Sequence, residues 1–519
     1  MTTISSRATP IRFYAGRVGT VLMLGISCFA LCGAQVLLGG KPAPSLMLSG
    51  ATFFGLLAVI EAGTLTAIGI LNVVLVGRVL LGAFIAKNIL LVQPITEGLL
   101  SPESTAATMF LGFMAVWMAT VLAVRFVPTI PWFMRHSDIN HLRSILVVML
   151  IASFVSSVAV RFSGGDGEIL AGGAWGIAKS LNSLRNLALP VLMLYLWRVN
   201  TPRWLTHPAV IGLALLLFVV GVLSSSKQVM AEPILFYIVM AIARYGWRHP
   251  VGWVVIPIGI AVFQLFIYPI SQYARNAGGT YKDPIVAATA TGDIVVGYIT
   301  DPGFREYVRQ NASSGGHWDD GTSYLPVNLV AMGRVSLVGE ADRLISASNV
   351  YQYTEWETIS NSILIAVPHF LLPNKPQSGS GNYLARYSGD LPFTDISTQV
   401  SYGFMANSYN AFGLASVLPL SLITALFVLA SITLVAKGRA FSSPWSMFAL
   451  VSLHQGYVES SFSGLFGALN LVGLASMIYF VVRLIDWTFH RLTARQKFET
   501  HEGSVDSLKA LSKKVQHFA

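Results

Sequence analysis

The sequence predicts an all-α fold, a polytopic integral membrane helix bundle of about 12 spans with one large extracytoplasmic, partly helical loop. Three observations lead to this prediction. Of the 519 residues, 54% are hydrophobic and only 11% are charged, whereas soluble domains carry about 25% charged residues. Apolar stretches near the ~20 residues that cross a bilayer recur along the chain. A long polar segment, residues 271–407, interrupts them once.

The apolar stretches form two groups separated by that polar segment. Residues 1–270 are predicted to hold about nine spans and residues 408–483 about three, followed by a basic cytoplasmic tail at residues 484–519. The first apolar run has no small-residue cleavage site and is followed directly by more spans, so it predicts an uncleaved span. The predicted spans are residues 19–39, 45–62, 65–93, 106–126, 144–161, 180–198, 208–226, 229–243, 251–270, 408–436, 443–463 and 465–483.

The orientation follows from the positions of lysine and arginine. These residues precede the first span, collect in every second connection, and return in the C-terminal tail. Cytoplasmic loops retain positive charge, so both termini are expected in the cytoplasm. The net charge of +10 is interpreted as contact with anionic lipids of the inner leaflet, and nucleic-acid binding is not predicted.

The polar segment, residues 271–407, has a composition of its own. It holds 12 of the 24 acidic residues and eight basic ones, and the alternation of charge places it outside the cytoplasm. Apolar and aromatic residues recur through it, which favours a folded cap over a disordered loop. A short helix is expected over Ile359–Phe370, lying against the membrane or dipping into it.

Motifs of competing chemistry are absent from the sequence. It contains no Walker A motif, no glycine-rich dinucleotide turn and no HExxH pair. Cys28 and Cys32 lie one helical turn apart in the first span and are interpreted as packing residues, since a metal site needs further ligands nearby. No cofactor and no metal are therefore expected.

A family resemblance emerges in the second half of the chain. The sequence Ala341–Leu344 (ADRL) is followed by an aromatic stretch, by VPHFLLPNKP at Val367–Pro376, by a Gly/Ser-rich segment and by NSYNAFG at Asn407–Gly413. This order resembles the Wzy-type oligosaccharide repeat-unit polymerases of bacteria, which make O-antigen and exopolysaccharide. SSSK at Ser224–Lys227 is a second point of likeness.

The resemblance implies glycosyl transfer at the outer face of the bacterial cytoplasmic (inner) membrane. Such enzymes join oligosaccharide repeat units carried on undecaprenyl pyrophosphate and release the lipid pyrophosphate. The implied partners are that lipid-linked oligosaccharide, membrane lipids, a chain-length regulator and a flippase. The reaction needs cations for the pyrophosphate and an acceptor for the proton of the attacking hydroxyl.

Candidate residues for these two roles come from the predicted outer side of the protein and from the spans. Arginine suits phosphate because its planar fork gives paired donors, and ionisable residues inside spans are functional candidates by default. The structural alternatives are ordinary salt bridges for the loop arginines, ion pairs of Arg78 with Glu61 and of Lys227 with Glu232, an interfacial position for Arg275 and a solvated Lys375. The candidate cations are Lys227, Arg275, Arg343, Lys375, Arg386 and Arg78, and the candidate bases are Asp395, His369 and Glu357.

Two other functions remain open at this point. A related ligase would move finished glycan from the same lipid onto an acceptor such as lipid A core. A transporter of polysaccharide or lipid-linked sugar would also suit twelve spans. Transporters of that size commonly have two related halves and broken helices at the midplane, whereas the single long polar segment makes this chain asymmetric.

Overall fold

The computed structural model describes residues 10–130, 144–151, 185–223, 261–278, 284–314, 324–325, 336–366, 380–393, 400–436 and 444–458, with isolated positions between 230 and 259 and between 462 and 488. These residues form helices and contain no β-strand. Among them, five helices are long and apolar enough to cross a membrane. The prediction of an all-α membrane protein is confirmed to this extent. The five helices are Val18–Leu37, Pro42–Ala62, Ala67–Leu90, Pro102–Phe126 and Leu414–Val435.

The helices are labelled here in chain order. Four helices begin at a proline that follows a described non-helical residue, at Pro42, Pro102, Pro208 and Pro302. Proline suits the first helical position because its φ is already helical and its missing N–H would have no partner there. The full set of labelled helices is α1 Pro10–Leu37, α2 Pro42–Ala62, α3 Ala67–Leu90, α4 Pro102–Phe126, α5 Arg185–Arg198, α6 Pro208–Leu223, α7 Tyr268–Gly278, α8 Pro284–Thr300, α9 Pro302–Ser314, α10 Val338–Val350, α11 Trp356–Ala366, α12 Ser380–Tyr387, α13 Phe404–Phe412, α14 Leu414–Val435 and α15 Pro444–Val458.

Small residues and buried polar pairs hold the first helices together. α2 packs against α1, α3 and α4, and a Cβ on Gly55 would stand 2.5 Å from Cγ2 of Val76. Asn72 donates to Thr120 at 3.1 Å, and Tyr457 donates to Asn72 at 3.2 Å, which ties α3 to α4 and α15. Close backbone approach and interhelical hydrogen bonds are the forces available where lipid is as apolar as the side chains.

α4 and α14 run parallel in the bundle. At their C-terminal ends, the amide of Ile130, which follows α4, donates at 3.0 Å to the carbonyl of Leu434 in the last turn of α14. Their N-terminal ends lie at the opposite end of the bundle, where α10 contacts α4 and also α13, which leads into α14. If both helices span the membrane, an odd number of crossings connects Phe126 with Leu414. The five spans predicted between them have that parity.

α3 is one helix with two π-helical turns. The first turn, Gly77–Leu81, contains Arg78, and the second, Ile85–Leu90, contains Lys87. A π turn leaves the regular hydrogen-bond ladder and is frequent at functional sites. Both cations of α3 therefore lie where the helix departs from α geometry.

The polar segment differs from its predicted limits at both ends. A continuous helical run over residues 261–278 passes through the predicted boundary at 271, so α7 extends the preceding helix. The predicted span at 408–436 is instead two helices, α13 and α14, separated at Gly413 with φ of 76°. The helix predicted over Ile359–Phe370 is α11, which begins three residues earlier and is described as far as Ala366. Val367–Pro376 lies outside the described residues.

Candidate functional site

Asp342 joins the polar segment to the membrane helices. Its carboxylate accepts hydrogen bonds from the amides of Leu100 at 2.5 Å and Ser101 at 3.0 Å, and from the hydroxyl of Thr105 at 2.6 Å. These donors belong to the start of α4, where backbone N–H groups have no partner inside the helix. Burial raises the pKa of Asp342 above its ordinary value, although the three hydrogen bonds and Arg343 act in the opposite direction.

The next residue, Arg343, makes an ion pair at the same junction. Its guanidinium donates to Asp390 at 3.1 Å, and the two side chains are 16% and 8% exposed. Asp390 also accepts from the hydroxyls of Ser388, at 2.8 Å, and Tyr402. Burial and the neighbouring Asp390 raise the pKa of Tyr402 well above its ordinary value, so its phenol stays a donor. We call Arg343, Asp390, Ser388 and Tyr402 the Arg343 cluster.

A narrow cavity adjoins the Arg343 cluster. It is partly open and has room for about one water molecule. Its walls come from α3, α4, α10, α13 and Val458 of α15, with Tyr402 the one shared member of the cluster. Leu337 and Gly403, the residues that precede α10 and α13, both line it. Two helix N-termini, which favour negative charge, therefore meet at one cavity with apolar walls.

The non-helical residues before α10 contact the middle of α3. The amide of Leu337 donates at 3.0 Å to the carbonyl of Arg78, which lies near the middle of the span Ala67–Leu90. Ser336 and Leu337 are buried. Non-helical backbone at membrane depth is tolerated where protein covers it or where it lines a cavity. The π turn at Arg78 thus supplies a carbonyl that anchors the polar segment inside the bundle.

Lys87 is buried at the other π turn. Its side chain is 3% exposed, its Nζ lies 3.5 Å from Oε1 of Gln93, and it stands 4.6 Å from the ring centre of Tyr324. Tyr324 in turn donates to the carbonyl of Ile95 at 2.7 Å. A cation over an aromatic face is attracted by the ring quadrupole. This contact is a second link between α3 and the polar segment.

Two predicted residues, Glu357 and Arg386, lie near each other on α11 and α12. Glu357 is exposed. Burial and a hydrogen bond to Glu357 raise the pKa of Tyr383, while the charge of Arg386 acts in the opposite direction. Arg386 is half-buried in the last turn of α12. α12 is followed directly by Ser388 and Asp390, so this pair and the Arg343 cluster adjoin the same short helix.

The remaining predicted site residues are placed as follows. Lys227, Lys375, His369 and Asp395 lie outside the described residues. Arg275 lies on α7, which packs against α8 and α9; its backbone is described and its side chain is not.

The alternative pairings considered from the sequence are also visible in part. Glu61 accepts from Arg125 at 3.0 Å, at the end of the bundle opposite Asp342. Arg343 forms a salt bridge with Asp390, as the structural alternative for the loop arginines expected. Its partner is a nearly buried carboxylate, which distinguishes it from an exposed pair such as Lys41 with Glu103.

Sequence reasoning assigned no role to four members of the site, Asp342, Ser388, Asp390 and Tyr402. Asp342 belongs to the quoted ADRL sequence, but no role was assigned to it. Asp390 ends the Gly/Ser-rich segment, and Tyr402 is one of 18 tyrosines. The adjacent opposite charges of Asp342 and Arg343 were a usable signal, since neighbouring residues on a helix point in different directions and must find separate partners.

In the part of the chain that the structure describes, no group of three or more His, Cys, Asp or Glu side chains could hold a metal ion. Comparison with protein families, with curated proteins and with solved structures finds no match for this chain.

Proposed function

We propose that the chain is a membrane glycosyltransferase. It polymerises undecaprenyl-pyrophosphate-linked oligosaccharide repeat units into a surface or secreted polysaccharide at the outer face of a bacterial inner membrane. The observation that carries the proposal is the position of Arg343, held by a nearly buried Asp390 where the polar segment meets the membrane helices. A bidentate cation at such a junction suits a lipid-borne pyrophosphate.

The cavity beside the Arg343 cluster supports the same ligand chemistry. The N-termini of α10 and α13 at its edge suit phosphate oxygens. The cavity itself has room for about one water molecule, so the isoprenoid chain would lie outside it. Arg343 would then meet the pyrophosphate from the polar side.

The chemical step follows from these positions. An acceptor hydroxyl oxygen forms a bond to the anomeric carbon, and the bond from that carbon to the pyrophosphate oxygen breaks. The lipid pyrophosphate leaves with the bonding electrons, and Arg343 stabilises its developing charge. The hydroxyl proton passes to a carboxylate or imidazole. Asp390 joins Glu357, His369 and Asp395 as a candidate acceptor, because it is freed when Arg343 turns to the pyrophosphate.

Gel analysis of surface polysaccharide from a deletion strain tests the proposal. Loss of long chains with single-unit addition retained is the result expected of a polymerase. Loss of all addition to lipid A would indicate a ligase. Unchanged long chains would overturn the proposal.

Transport of lipid-linked sugar is a second candidate, favoured by specific breaks in the helices. α3 contains two π turns, and the first includes Arg78 near the middle of that helix. Broken helices and irregular backbone near the middle of the bundle are typical of secondary transporters. Accumulation of the lipid-linked repeat unit on the cytoplasmic side of the deletion strain would favour this candidate.

A further inference from the structure

An aromatic surface lies on the polar segment between α10 and α11. The sequence YQYTEWE at residues 351–357 exposes three large rings, with exposed fractions of 62% for Tyr351, 42% for Tyr353 and 66% for Trp356. We call these three residues the aromatic platform. Large exposed aromatic groups are uncommon on a protein surface without a partner, and their clustering marks a binding site.

Each ring of the platform rests on a second aromatic ring. Tyr351 packs edge-on against Tyr387 with centroids 6.1 Å apart, and Tyr353 packs against Tyr409 at 6.1 Å. Trp356 packs against Phe412 at 5.2 Å. Edge-to-face pairs at these distances are favourable and restrict the rings. The platform is therefore held in place before any ligand arrives.

The backbone beneath the platform is fixed as well. Thr354 is buried; its amide donates to the carbonyl of Asn410 at 2.9 Å and its hydroxyl to Oδ1 of Asn410 at 2.6 Å. The amide of Glu355 donates to the carbonyl of Ala411 at 2.9 Å. Glu355 has φ of 46°, a left-handed conformation that costs a non-glycine residue about 1–3 kcal/mol and persists where the surroundings enforce it.

Carboxylates alternate with the exposed rings. Glu355 and Glu357 are exposed, as is Gln352, and residues 351–357 contain no lysine or arginine. Surfaces that rest on anionic lipid headgroups carry lysine and arginine instead. The C–H faces of a pyranose ring pack on aromatic rings, and carboxylates and amides bond to its hydroxyl groups. The exposed aromatic rings and the hydrogen-bond acceptors between them therefore fit a hydroxyl-rich glycan better than a lipid surface.

We propose that the aromatic platform, with Glu355 and Glu357 at its rim, binds a neutral, hydroxyl-rich glycan chain. The identification of that glycan with the growing polysaccharide rests on the proposed function. The platform holds the chain near the Arg343 cluster through α12, whose Tyr387 backs Tyr351 and whose end leads into Ser388 and Asp390. Glu357 then has a binding role in addition to its candidacy as a base.

The test measures glycan binding by the purified full chain in nanodiscs, independently of polymer synthesis. The probe is a set of oligosaccharides released by mild acid from the surface polysaccharide of the producing strain, followed by isothermal titration calorimetry. Trp356→Ala and Tyr351→Ala are each expected to weaken binding about tenfold, and Trp356→Phe to retain most of it. Phe393→Ala is the matched control, because Phe393 is an 81% exposed aromatic of the same segment outside the platform, and its affinity should be unchanged.

Three results would overturn the proposal. They are no binding by the wild-type chain, wild-type affinity in the Tyr351→Ala/Trp356→Ala double variant, and an equal loss in Phe393→Ala. If Trp356→Ala does not fold, Tyr351→Ala decides alone, since its ring is mainly exposed. The proposed function fails separately: unchanged polymer in the deletion strain removes the polymerase assignment, while glycan binding by the platform would stand.

Discussion

Asp342 and Thr105 lie 237 positions apart in the chain and are joined by a 2.6 Å hydrogen bond. The hydroxyl of Thr105 and the amides of Leu100 and Ser101 together bind the Asp342 carboxylate at the start of α4. A helix N-terminus has unpartnered donors and a favourable dipole for this purpose. The contact fixes α10, and with it Arg343, against the membrane helices.

Replacing Asp342 by asparagine should destabilise the protein. One carboxylate oxygen becomes an amide NH2 that faces backbone N–H donors, so at least one buried donor loses its acceptor. The cost is expected at about 1–3 kcal/mol, seen as a lower thermal unfolding midpoint in detergent. The control is Glu103→Gln, in the first turn of α4, whose ion pair with Lys41 is 69% and 72% exposed; such a pair contributes little. Equal effects of both substitutions would contradict the role given to Asp342.

Asp342 should also leave a signature in the pH dependence of stability. Burial raises its pKa above the ordinary value of 3.8. Between pH 3.8 and the folded pKa, the folded protein therefore binds more protons than the unfolded chain. Stability from this group is present below about pH 3.8 and is lost as pH rises through the folded pKa. The difference in unfolding midpoint between wild type and Asp342→Asn should therefore shrink as pH rises from 4. A difference that grows with pH would show that the ionised form is the favoured one.

Gly413 is expected to be intolerant of a side chain. Its φ of 76° and ψ of −160° belong to a region open essentially to glycine, and a Cβ would lie 3.0 Å from the ring of Tyr353. Gly413→Ala should cost about 1–3 kcal/mol. Gly212→Ala in α6 is the control, since a Cβ there meets nothing within 4 Å and alanine is the better helix former. Thermal unfolding should separate the two, with Gly212→Ala neutral or stabilising.

The membrane helices were predictable because hydropathy is a local property of the chain. Residues 45–62 and 65–93 were expected as spans and correspond to α2 and α3. The limits were less accurate where polar residues open a helix. α4 begins at Pro102 rather than at residue 106, because Pro102 and Glu103 suit a first helical turn despite their polarity.

The candidate site was less predictable because its contacts are long-range. Arg343 was identified by residue type, but its partner Asp390 lies 47 positions away and no periodicity relates the two. The break at Gly413 lies inside the predicted span 408–436, and hydropathy alone does not distinguish one span from two helices there. The π turns of α3 likewise follow from packing, which local sequence does not encode.

The membrane sidedness of the polar segment is tested by cysteine labelling. In a chain without Cys28 and Cys32, Glu306→Cys places a thiol on an exposed position of α9, and Val199→Cys places one beside Arg198 and Arg203. A membrane-impermeant maleimide should label Glu306→Cys in spheroplasts and Val199→Cys only after lysis, because positive charge stays cytoplasmic. The reverse pattern, or labelling of both in spheroplasts, would show that the predicted topology is wrong.

The last prediction separates a substrate-binding role of Arg343 from a structural one. Arg343→Gln leaves the nearly buried Asp390 without its cation, so stability should fall by up to about 3 kcal/mol. In the double variant Arg343→Gln/Asp390→Asn the isolated charge is gone, and stability should return close to wild type. Polymer synthesis should not return. Asp390→Asn alone keeps Arg343 and should make polymer on the order of a hundredfold faster than the double variant, the contribution of a cation that stabilises a leaving pyrophosphate. Arg343→Lys should retain partial synthesis, since a single ammonium charge replaces the planar guanidinium with its paired donors.

Arg125→Gln is the matched control: its ion pair with Glu61, at 3.0 Å, lies at the opposite end of the bundle, and polymer length should be unaffected. Full-length polymer at the wild-type rate in the stable double variant would show that Arg343 serves only to hold Asp390.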